Sequence, residues 1–220
     1  MSKIKAVIFD LDGTLLYTLE DLMLSANYAL EKHGMATCSL HEIQYRVGNG
    51  VKRLMELCVP NGLDNPEFEA VFADFKEYYQ IHCNDNSGPY KGIPELLTAL
   101  KEKGYKLAIV SNKFMDATKE LSSLYFSDTI DVAIGESAGI RKKPEPDTVI
   151  EAMKILGVTA SDCVYVGDSD VDIKTAANSG MPCISVAWGF RTREEQLEAG
   201  GKIFADVPDD IIKLLEEEFC

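Results

Sequence analysis

The chain opens with an apolar run from Ile4 to Asp10 in which hydrophobic and polar positions do not alternate. Such a run is typical of a strand buried on both faces of a parallel sheet. After Gly13, apolar positions recur at helical spacing from about Thr18 to His33, and Thr18 and Asp21 indicate a capping box at the start of this helix. Further helices are predicted at 39–46, 50–58 and 66–82, with no good strand between them.

From Pro89 onward the pattern changes to helices that alternate with short apolar strands. This alternation predicts βα units around a parallel sheet. The predicted strands are 106–110, 132–134, 163–166, 183–187 and 203–205. The predicted helices are 94–103, 116–125, 147–156, 171–178, 193–199 and an amphipathic helix from Asp209. We therefore expect an α/β core of residues 1–16 and 83–220, interrupted by an all-helical insert of residues 17–82.

Composition narrows the protein class. Hydrophobic residues make up 46% of the 220 residues, which suits a globular protein with a real core. No apolar run approaches the roughly 18 residues of a membrane helix, and the first apolar run is too short for a signal peptide. The six cysteines form no C-x-x-C pair, so we expect reduced, mostly buried thiols. These features predict a cytoplasmic protein.

Net charge bears on possible partners. The formal net charge is −14, and a surface this acidic repels nucleic acid and anionic membranes. We therefore expect neither as a partner, and expect a monomer or a weak homodimer. An anionic substrate would need a metal ion, a few placed lysines or arginines, or helix N-termini to hold it.

Candidate chemistry gathers where the predicted strands end. Ligands of open α/β sheets bind beyond the carboxyl ends of the strands. In this chain those positions hold acidic groups, a hydroxyl and lysines, at Asp10–Thr14, Ser111–Lys113, Arg141–Pro144 and Gly167–Asp172. Each residue alone is also a common turn or helix-capping type, so only the joint pattern is informative.

Four segments carry a resemblance to a known family. In chain order they are Asp10-Leu-Asp12-Gly13-Thr14-Leu15, Val110-Ser111-Asn112, Lys143-Pro144-Glu145-Pro146 and Gly167-Asp168-Ser169-Asp170-Val171-Asp172. Together they resemble the haloacid dehalogenase superfamily of phosphohydrolases, in which a Rossmann-like core carries a helical cap inserted between the first two motifs. The position of the helical insert agrees with this resemblance.

The resemblance implies roles for the core residues. Asp10 is the expected nucleophile, which forms an aspartyl phosphate, and Asp12 is the expected general acid and base. Ser111 and Lys143 are expected to hold and neutralise the transferring phosphoryl group, and Thr14 to hydrogen-bond nearby. The expected Mg²⁺ ligands are Asp10, the backbone carbonyl of Asp12, and Asp168, with Asp172 orienting a ligand. A carboxylate at Asp12 favours phosphoryl transfer over dehalogenation.

Within the superfamily, the likeness is greatest to phosphoglycolate phosphatases, which implies a small phosphorylated metabolite as substrate. It rests on the first motif, Val47-Gly48-Asn49-Gly50-Val51, Ser111-Asn112-Lys113 and Trp188-Gly189-Phe190-Arg191. The Gly48-Asn49-Gly50 turn allows a close backbone approach to a ligand, although a plain interhelical turn explains it equally well. The other expected substrate contacts are Asn112, Lys113 at the rim of the cleft, Arg46 and Arg53.

Three alternatives remain open at this point. A sugar-phosphate mutase of the β-phosphoglucomutase type is weakly disfavoured, because Val51 stands directly after the turn where an arginine would be expected. An inorganic pyrophosphatase of the same superfamily would share all four motifs. A receiver-like phospho-acceptor switch would also use an aspartate cluster, a hydroxyl and a lysine, but receivers are about half this length and lack a helical insert.

Overall fold

The structure is a computed structural model that describes residues 4–219. These residues divide into two compact units, a core unit of residues up to 16 and from 89 onward, and a helical unit of residues 17–88. The chain passes between the units at two short strands, Leu16–Tyr17 and Gly88–Pro89. The sequence alone placed residues 83–88 with the core, whereas the structure groups them with the helical unit.

The core unit is built on a six-stranded sheet in which every neighbouring pair is parallel, as expected. Numbered along the chain, the strands are β1 Ala6–Phe9, β2 Leu16–Tyr17, β3 Gly88–Pro89, β4 Lys106–Phe114, β5 Val132–Glu136, β6 Cys163–Gly167, β7 Cys183–Val186 and β8 Ile203–Ala205. The sheet order is β5-β4-β1-β6-β7-β8, while β2 and β3 pair separately. The central position of β1 between β4 and β6 brings three strand ends together.

Ten α-helices complete the described chain. They are α1 Leu19–Lys32, α2 Leu40–Arg46, α3 Val51–Cys58, α4 Phe68–His82, α5 Ile93–Glu102, α6 Met115–Phe126, α7 Asp147–Leu156, α8 Asp170–Asn178, α9 Arg193–Glu198 and α10 Pro208–Glu217. All predicted helices are confirmed to within about two residues at each end. Among residues 4–219, no helix combines the length and the apolar composition needed to cross a membrane.

The central strand is buried on both faces. Val7 and Phe9 belong to one apolar cluster, and Ala6 and Ile8 belong to another. Successive side chains of a strand point to opposite faces, so the two clusters cover the two sides of the sheet. This arrangement explains the continuous apolar run of β1, which was the first sign of a parallel sheet.

The helical unit contains α1–α4, with α1 packed along α4. The predicted capping box at α1 is wrong, because the side chain of Thr18 makes no capping hydrogen bond. The carboxylate of Asp21 is buried and instead accepts hydrogen bonds from the backbone N–H and side-chain amide of Asn86 and from the hydroxyl of Ser87. These bonds explain why residues 83–88 belong to this unit.

Most of the cysteines are buried, as expected. The five that the structure describes form no disulfide with one another, and four of them are buried. Cys220, the sixth, lies outside the described residues.

Asp21→Ala tests the role of the buried carboxylate. The substitution removes the acceptor of the Asn86 N–H and of one Ser87 hydroxyl hydrogen bond, so we expect a loss of about 2 kcal/mol in the free energy of unfolding. Urea unfolding followed by circular dichroism measures it. Asp128→Ala, at an exposed turn residue, should change stability by less than about 0.5 kcal/mol. Equal stability of the two variants would contradict the assignment.

Candidate active site

The candidate site lies at the carboxyl edge of β1, β4 and β6. Phe9 on β1 is in register with Ile109 on β4 and Val166 on β6. The residues that follow these three positions therefore lie side by side at the carboxyl edge of the sheet. Asp10, Ser111 and Asp168 reach the same edge for this reason, as the sequence predicted.

Strand β4 differs from the prediction. It continues to Phe114 rather than ending at Val110, and its register with β5 shifts between these two residues. Irregular pairing of this kind turns side chains in new directions and is common beside active sites. Ser111, Asn112 and Lys113 lie in the irregular stretch, and all three are buried.

Lys143 is the central cation of the site. Its ammonium group donates to Oδ1 of Asp10 at 2.6 Å, to Oδ1 of Asp172 at 2.8 Å and to the hydroxyl oxygen of Tyr165 at 3.0 Å. Only 3% of the Lys143 side chain is exposed. A buried ammonium group requires this kind of compensation, since an unpaired charge in the interior is very costly. Lys143 is thus held in one position by two carboxylates.

Asp172 is positioned by the start of α8. Its Oδ2 accepts hydrogen bonds from the backbone N–H and the hydroxyl of Ser169, while Ser169 in turn caps α8. Its Oδ1 accepts from Lys143 and from the hydroxyl of Tyr165. The capping box fixes the carboxylate, and the carboxylate fixes Lys143. Asp172 thus combines a helix-capping role with a site role.

Asp168 is held by a second set of contacts. Its Oδ2 accepts from the backbone N–H of Phe190 at 2.6 Å, and its Oδ1 accepts from the hydroxyl of Thr14 at 3.3 Å. Two glycines make room for it. A Cβ atom at Gly189 would lie 2.1 Å from the Asp168 Cβ, and one at Gly13, where φ is +92°, would lie 2.7 Å from its Oδ2. A larger residue at either glycine would displace the carboxylate.

Asp12 faces a second buried lysine. The ammonium group of Lys113 donates to Oδ1 of Asp12 at 2.7 Å, and the Lys113 side chain is only 1% exposed. The hydroxyl of Ser111 lies 3.5 Å from Oδ2 of Asp12, at the limit of a hydrogen bond. Lys113 is therefore paired in the interior beside the expected general acid rather than at an exposed rim, and a substrate contact by Lys113 remains a prediction.

Asn112 holds the backbone of Lys143. Its side-chain oxygen accepts from the Lys143 N–H at 2.8 Å, and its amide donates to the Lys143 carbonyl at 3.0 Å. The oxygen and the nitrogen of the Asn112 amide both bond to Lys143, which fixes the position of the Lys143 backbone. A substrate contact by Asn112 remains a prediction.

Three carboxylates form a potential metal centre. Asp10, Asp168 and Asp172 are buried, and each offers an oxygen within 4.8 Å of the other two. Four site carboxylates, with Asp12 counted, face the ammonium groups of Lys113 and Lys143, and the charge of Arg191 also acts on Asp168, so the carboxylates still outnumber the cations. An all-oxygen ligand set with this excess charge fits a hard divalent cation such as Mg²⁺.

Neighbouring negative charges raise the pKa values of Asp10, Asp168 and Lys143. Burial raises the pKa of Asp10 well above its usual range, and the charge of Asp172 adds to this effect, against the opposing influence of Lys143. Burial and the charge of Asp172 raise the pKa of Asp168 to about 7. Burial alone would lower the pKa of Lys143, but Asp10 and Asp172 outweigh it and raise that pKa. The carboxylates therefore favour a bound cation, whether proton or metal.

The expected substrate contacts of the helical unit lie around the turn between α2 and α3. Gly48 has φ of +119° and Gly50 has φ of +84°, conformations that favour glycine. Arg46 contacts Glu42 and the sulfurs of Cys38 and Cys58, while Arg53 pairs with Glu56. Contacts of Arg46, Arg53 and the Gly48-Asn49-Gly50 turn with a substrate remain predictions.

Comparison with known proteins identifies the family. The sequence profile of the haloacid dehalogenase-like hydrolases matches residues 7–186. The chain belongs to this family. The expected haloacid dehalogenase fold, a parallel α/β core with an inserted helical region, is thereby confirmed. The matched residues include all four motifs, from Asp10 to Asp172.

Individual relatives cover nearly the whole hydrolase. An N-acetylmuramic acid 6-phosphate phosphatase of Pseudomonas aeruginosa is 30% identical, with 99% of this chain and 97% of the relative aligned. A phosphoglycolate phosphatase of Aquifex aeolicus is 30% identical, with 96% and 97% aligned. A solved protein of Lactobacillus delbrueckii subsp. bulgaricus, provisionally named a phosphoglycolate phosphatase, is 37% identical with a TM-score of 0.91, and the match covers 97% of this chain and 98% of that protein.

Several site residues of the hydrolase escaped sequence reasoning. Tyr165 was part of an apolar strand, and nothing in that strand showed that its hydroxyl would reach Lys143. Phe190 contributes a backbone N–H, which no side-chain pattern reveals. Gly189 offered a usable signal, since it stands in the Trp188–Arg191 segment that carried the family likeness. A glycine in such a segment indicates a close approach by another residue.

Metal binding by the hydrolase should depend on pH. The pKa of Asp168 is raised from 3.8 to about 7, so its contribution to stability declines as pH rises through about 7. A cation that replaces the proton recovers this loss. Saturating Mg²⁺ should therefore raise the melting temperature more at about pH 8, by roughly 5 to 10 °C, than at about pH 5.5.

Differential scanning fluorimetry with and without Mg²⁺ measures this difference. In Asp168→Asn the Mg²⁺-induced rise should be mostly lost at both pH values, because a ligand oxygen is missing. An equal rise at both pH values, retained in the variant, would show that Mg²⁺ acts elsewhere.

Proposed function

We propose that this hydrolase is a Mg²⁺-dependent phosphatase that transfers the phosphoryl group of a small phosphate monoester first to Asp10 and then to water. The observation that supports it is the convergence of Asp10, Asp168 and Asp172 on one buried spot beside Lys143. A phosphate ester repels a carboxylate nucleophile unless local positive charge offsets both. Lys143 supplies part of that positive charge beside Asp10, and a cation held by the three carboxylates would supply the rest.

Asp10 is the nucleophile of the first step. Lys143 fixes one carboxylate oxygen of Asp10, which limits rotation of the group and orients it for attack. An oxygen of Asp10 forms a bond to phosphorus as the bond from phosphorus to the ester oxygen breaks. Asp10, Asp168 and the carbonyl of Asp12 would hold Mg²⁺, which would supply further positive charge to the phosphoryl oxygens.

Asp12 handles the protons of both steps. It donates a proton to the departing ester oxygen, and then accepts one from the water that attacks the phosphorus of the aspartyl phosphate. Lys113 and Ser111 contact opposite oxygens of this carboxylate and so orient it. About 16% of the Asp12 side chain is exposed, against 1% for Lys113, so the carboxylate has access to solvent.

A small phosphorylated metabolite is the proposed substrate. Relatives that align over nearly the whole chain act on phosphoglycolate and on N-acetylmuramic acid 6-phosphate, both of which are phosphate monoesters. The two relatives are equally similar to this chain at 30% identity, so the comparisons favour the class rather than one compound. We propose a phosphoglycolate-like ester as the first candidate.

Phosphate release from a panel of compounds, with wild type and Asp10→Asn compared, tests the proposal. The panel contains 2-phosphoglycolate, N-acetylmuramic acid 6-phosphate, hexose phosphates, nucleotides and pyrophosphate. Wild type with Mg²⁺ should hydrolyse at least one small monoester, and chelation should stop it. Asp10→Asn should lower kcat by about 10³-fold or more, because the nucleophile and a metal ligand are lost together.

A matched control comes from the same acidic segment. Asp170 pairs with Lys174 on the surface and lies outside the carboxylate cluster, so Asp170→Asn should retain the wild-type rate. Acid quench during turnover should trap a labelled phosphoryl group on wild type but not on Asp10→Asn. Isomerisation of a sugar 1-phosphate without phosphate release would instead indicate a mutase. A preference for pyrophosphate would indicate a pyrophosphatase. A stable phosphoprotein without turnover would indicate a receiver-like switch.

Neighbouring lysines allow a second test. Lys143→Met removes the cation shared by Asp10 and Asp172, and should lower kcat by about 10²-fold or more. Lys142→Met, one residue earlier and less buried, should change kcat by less than about twofold. Steady-state kinetics measures both, and thermal melting separates a folding defect from a catalytic one. Similar kcat values in the two folded variants would refute the role of Lys143.

A further inference from the structure

Two thiols share one guanidinium group in the helical unit. Cys38 lies in the irregular segment before α2, Arg46 ends α2, and Cys58 ends α3. Nη1 of Arg46 donates to the sulfur of Cys38 at 2.9 Å and lies 3.6 Å from the sulfur of Cys58. Its Nη2 lies 3.3 Å from a carboxylate oxygen of Glu42. The proposed phosphatase reaction uses neither thiol.

The two thiols also interact directly with each other. A hydrogen bond from Cys58, helped by the charge of Arg46, lowers the pKa of Cys38 to about 7. The same bond raises the pKa of Cys58, which keeps its proton. At neutral pH a substantial fraction of Cys38 is therefore thiolate, beside a protonated Cys58. Thiolates, rather than thiols, attack oxidants and disulfides.

Two other described thiols, Cys163 and Cys183, differ from this pair. Burial raises the pKa of Cys163 to about 11 and also raises the pKa of Cys183. Cys163 is fully buried, whereas Cys38 and Cys58 keep 7% and 8% exposure, enough for contact with a small oxidant. Cys38 and Cys58 thus lie close to each other and to a cation, and both have limited access to solvent.

We propose that Cys38 and Cys58 are a redox modification site, at which a hydroperoxide oxidises the two thiols to an intramolecular disulfide. In the first step the sulfur of Cys38 attacks a peroxide oxygen, the O–O bond breaks, and Cys38 becomes a sulfenic acid. The leaving oxygen takes up a proton. In the second step the sulfur of Cys58 attacks that of Cys38 and displaces hydroxide, which leaves as water with the Cys58 proton.

The electrons and protons balance in this scheme. The two thiols together lose two electrons and two protons, and hydrogen peroxide is reduced to two waters. A reduced dithiol reverses the modification by thiol–disulfide exchange. The hydroperoxide is the only co-reactant required.

Local structure favours closure of the bond. Asn27 holds Cys38 by accepting from its N–H at 2.8 Å and donating to its carbonyl at 2.9 Å, which keeps its sulfur near Arg46. Cys58 is the last residue of α3, where the backbone adjusts more easily than inside a helix. The disulfide would close a loop that contains α2 and the Gly48-Asn49-Gly50 turn. Oxidation would therefore restrict the motion of that turn.

Peptide mapping of the full-length protein after treatment with hydrogen peroxide tests the proposal. Under non-reducing conditions we expect one dominant cross-linked peptide, which joins Cys38 to Cys58 and disappears with dithiothreitol. In Cys58→Ser the second step is blocked, so a dimedone adduct should accumulate on Cys38. Arg46→Gln should slow oxidation about tenfold at pH 7, because less thiolate is present, and the rate should recover at higher pH.

Cys163→Ser is the matched control, since it removes a buried thiol outside the pair and should leave the rate and the cross-link unchanged. The proposal would be overturned if other cysteines were oxidised first, or if Cys38 reacted at the same rate in wild type and in Arg46→Gln. Cross-linked wild-type protein is the primary readout, so the result does not depend on the folding of any variant.

Discussion

The burial of Asp10 and Asp172 depends on one shared ammonium group. Lys143 lies within 2.8 Å of both carboxylates and is almost completely shielded from water. Loss of one partner from a buried ion pair costs several kcal/mol. Removal of any one of these three side chains should therefore destabilise the other two charges. With Asp168 also buried nearby, the lysine compensates only part of the negative charge. The remaining negative charge is the physical reason why this carboxylate cluster suits a divalent cation.

Rigid backbone elements hold these charged groups in place. The capping box of α8 fixes Asp172, the amide of Asn112 fixes the backbone of Lys143, and β1 delivers Asp10. Side chains on strands and helix starts are placed more accurately than side chains on loops. The elements that bring these charged side chains together therefore also hold them in fixed positions. A site of like charges needs such support, because the carboxylates would otherwise move apart.

Sequence patterns predicted the layers of the fold, the order of its elements and the core members of the site. They could do so because apolar periodicity reports burial, and because the ends of parallel strands share one edge. The partner of each polar side chain was harder to foresee. The pairing of Lys113 with Asp12, and of Arg46 with Cys38, depends on side-chain directions that periodicity does not encode. Residues 83–88 were misplaced for the same reason, since their bonds to Asp21 span more than sixty positions.

The topology also sets when the site can exist during synthesis. Asp10 emerges from the ribosome 133 residues before its hydrogen-bond partner Lys143, and Thr14 precedes its partner Asp168 by 154 residues. The backbone N–H that orients Asp168 belongs to Phe190. A nascent chain therefore holds Asp10 and Asp168 without all of these contacts until the segment through Phe190 has been made. Contacts of such long range close slowly, and any product truncated before Phe190 lacks part of the carboxylate's support.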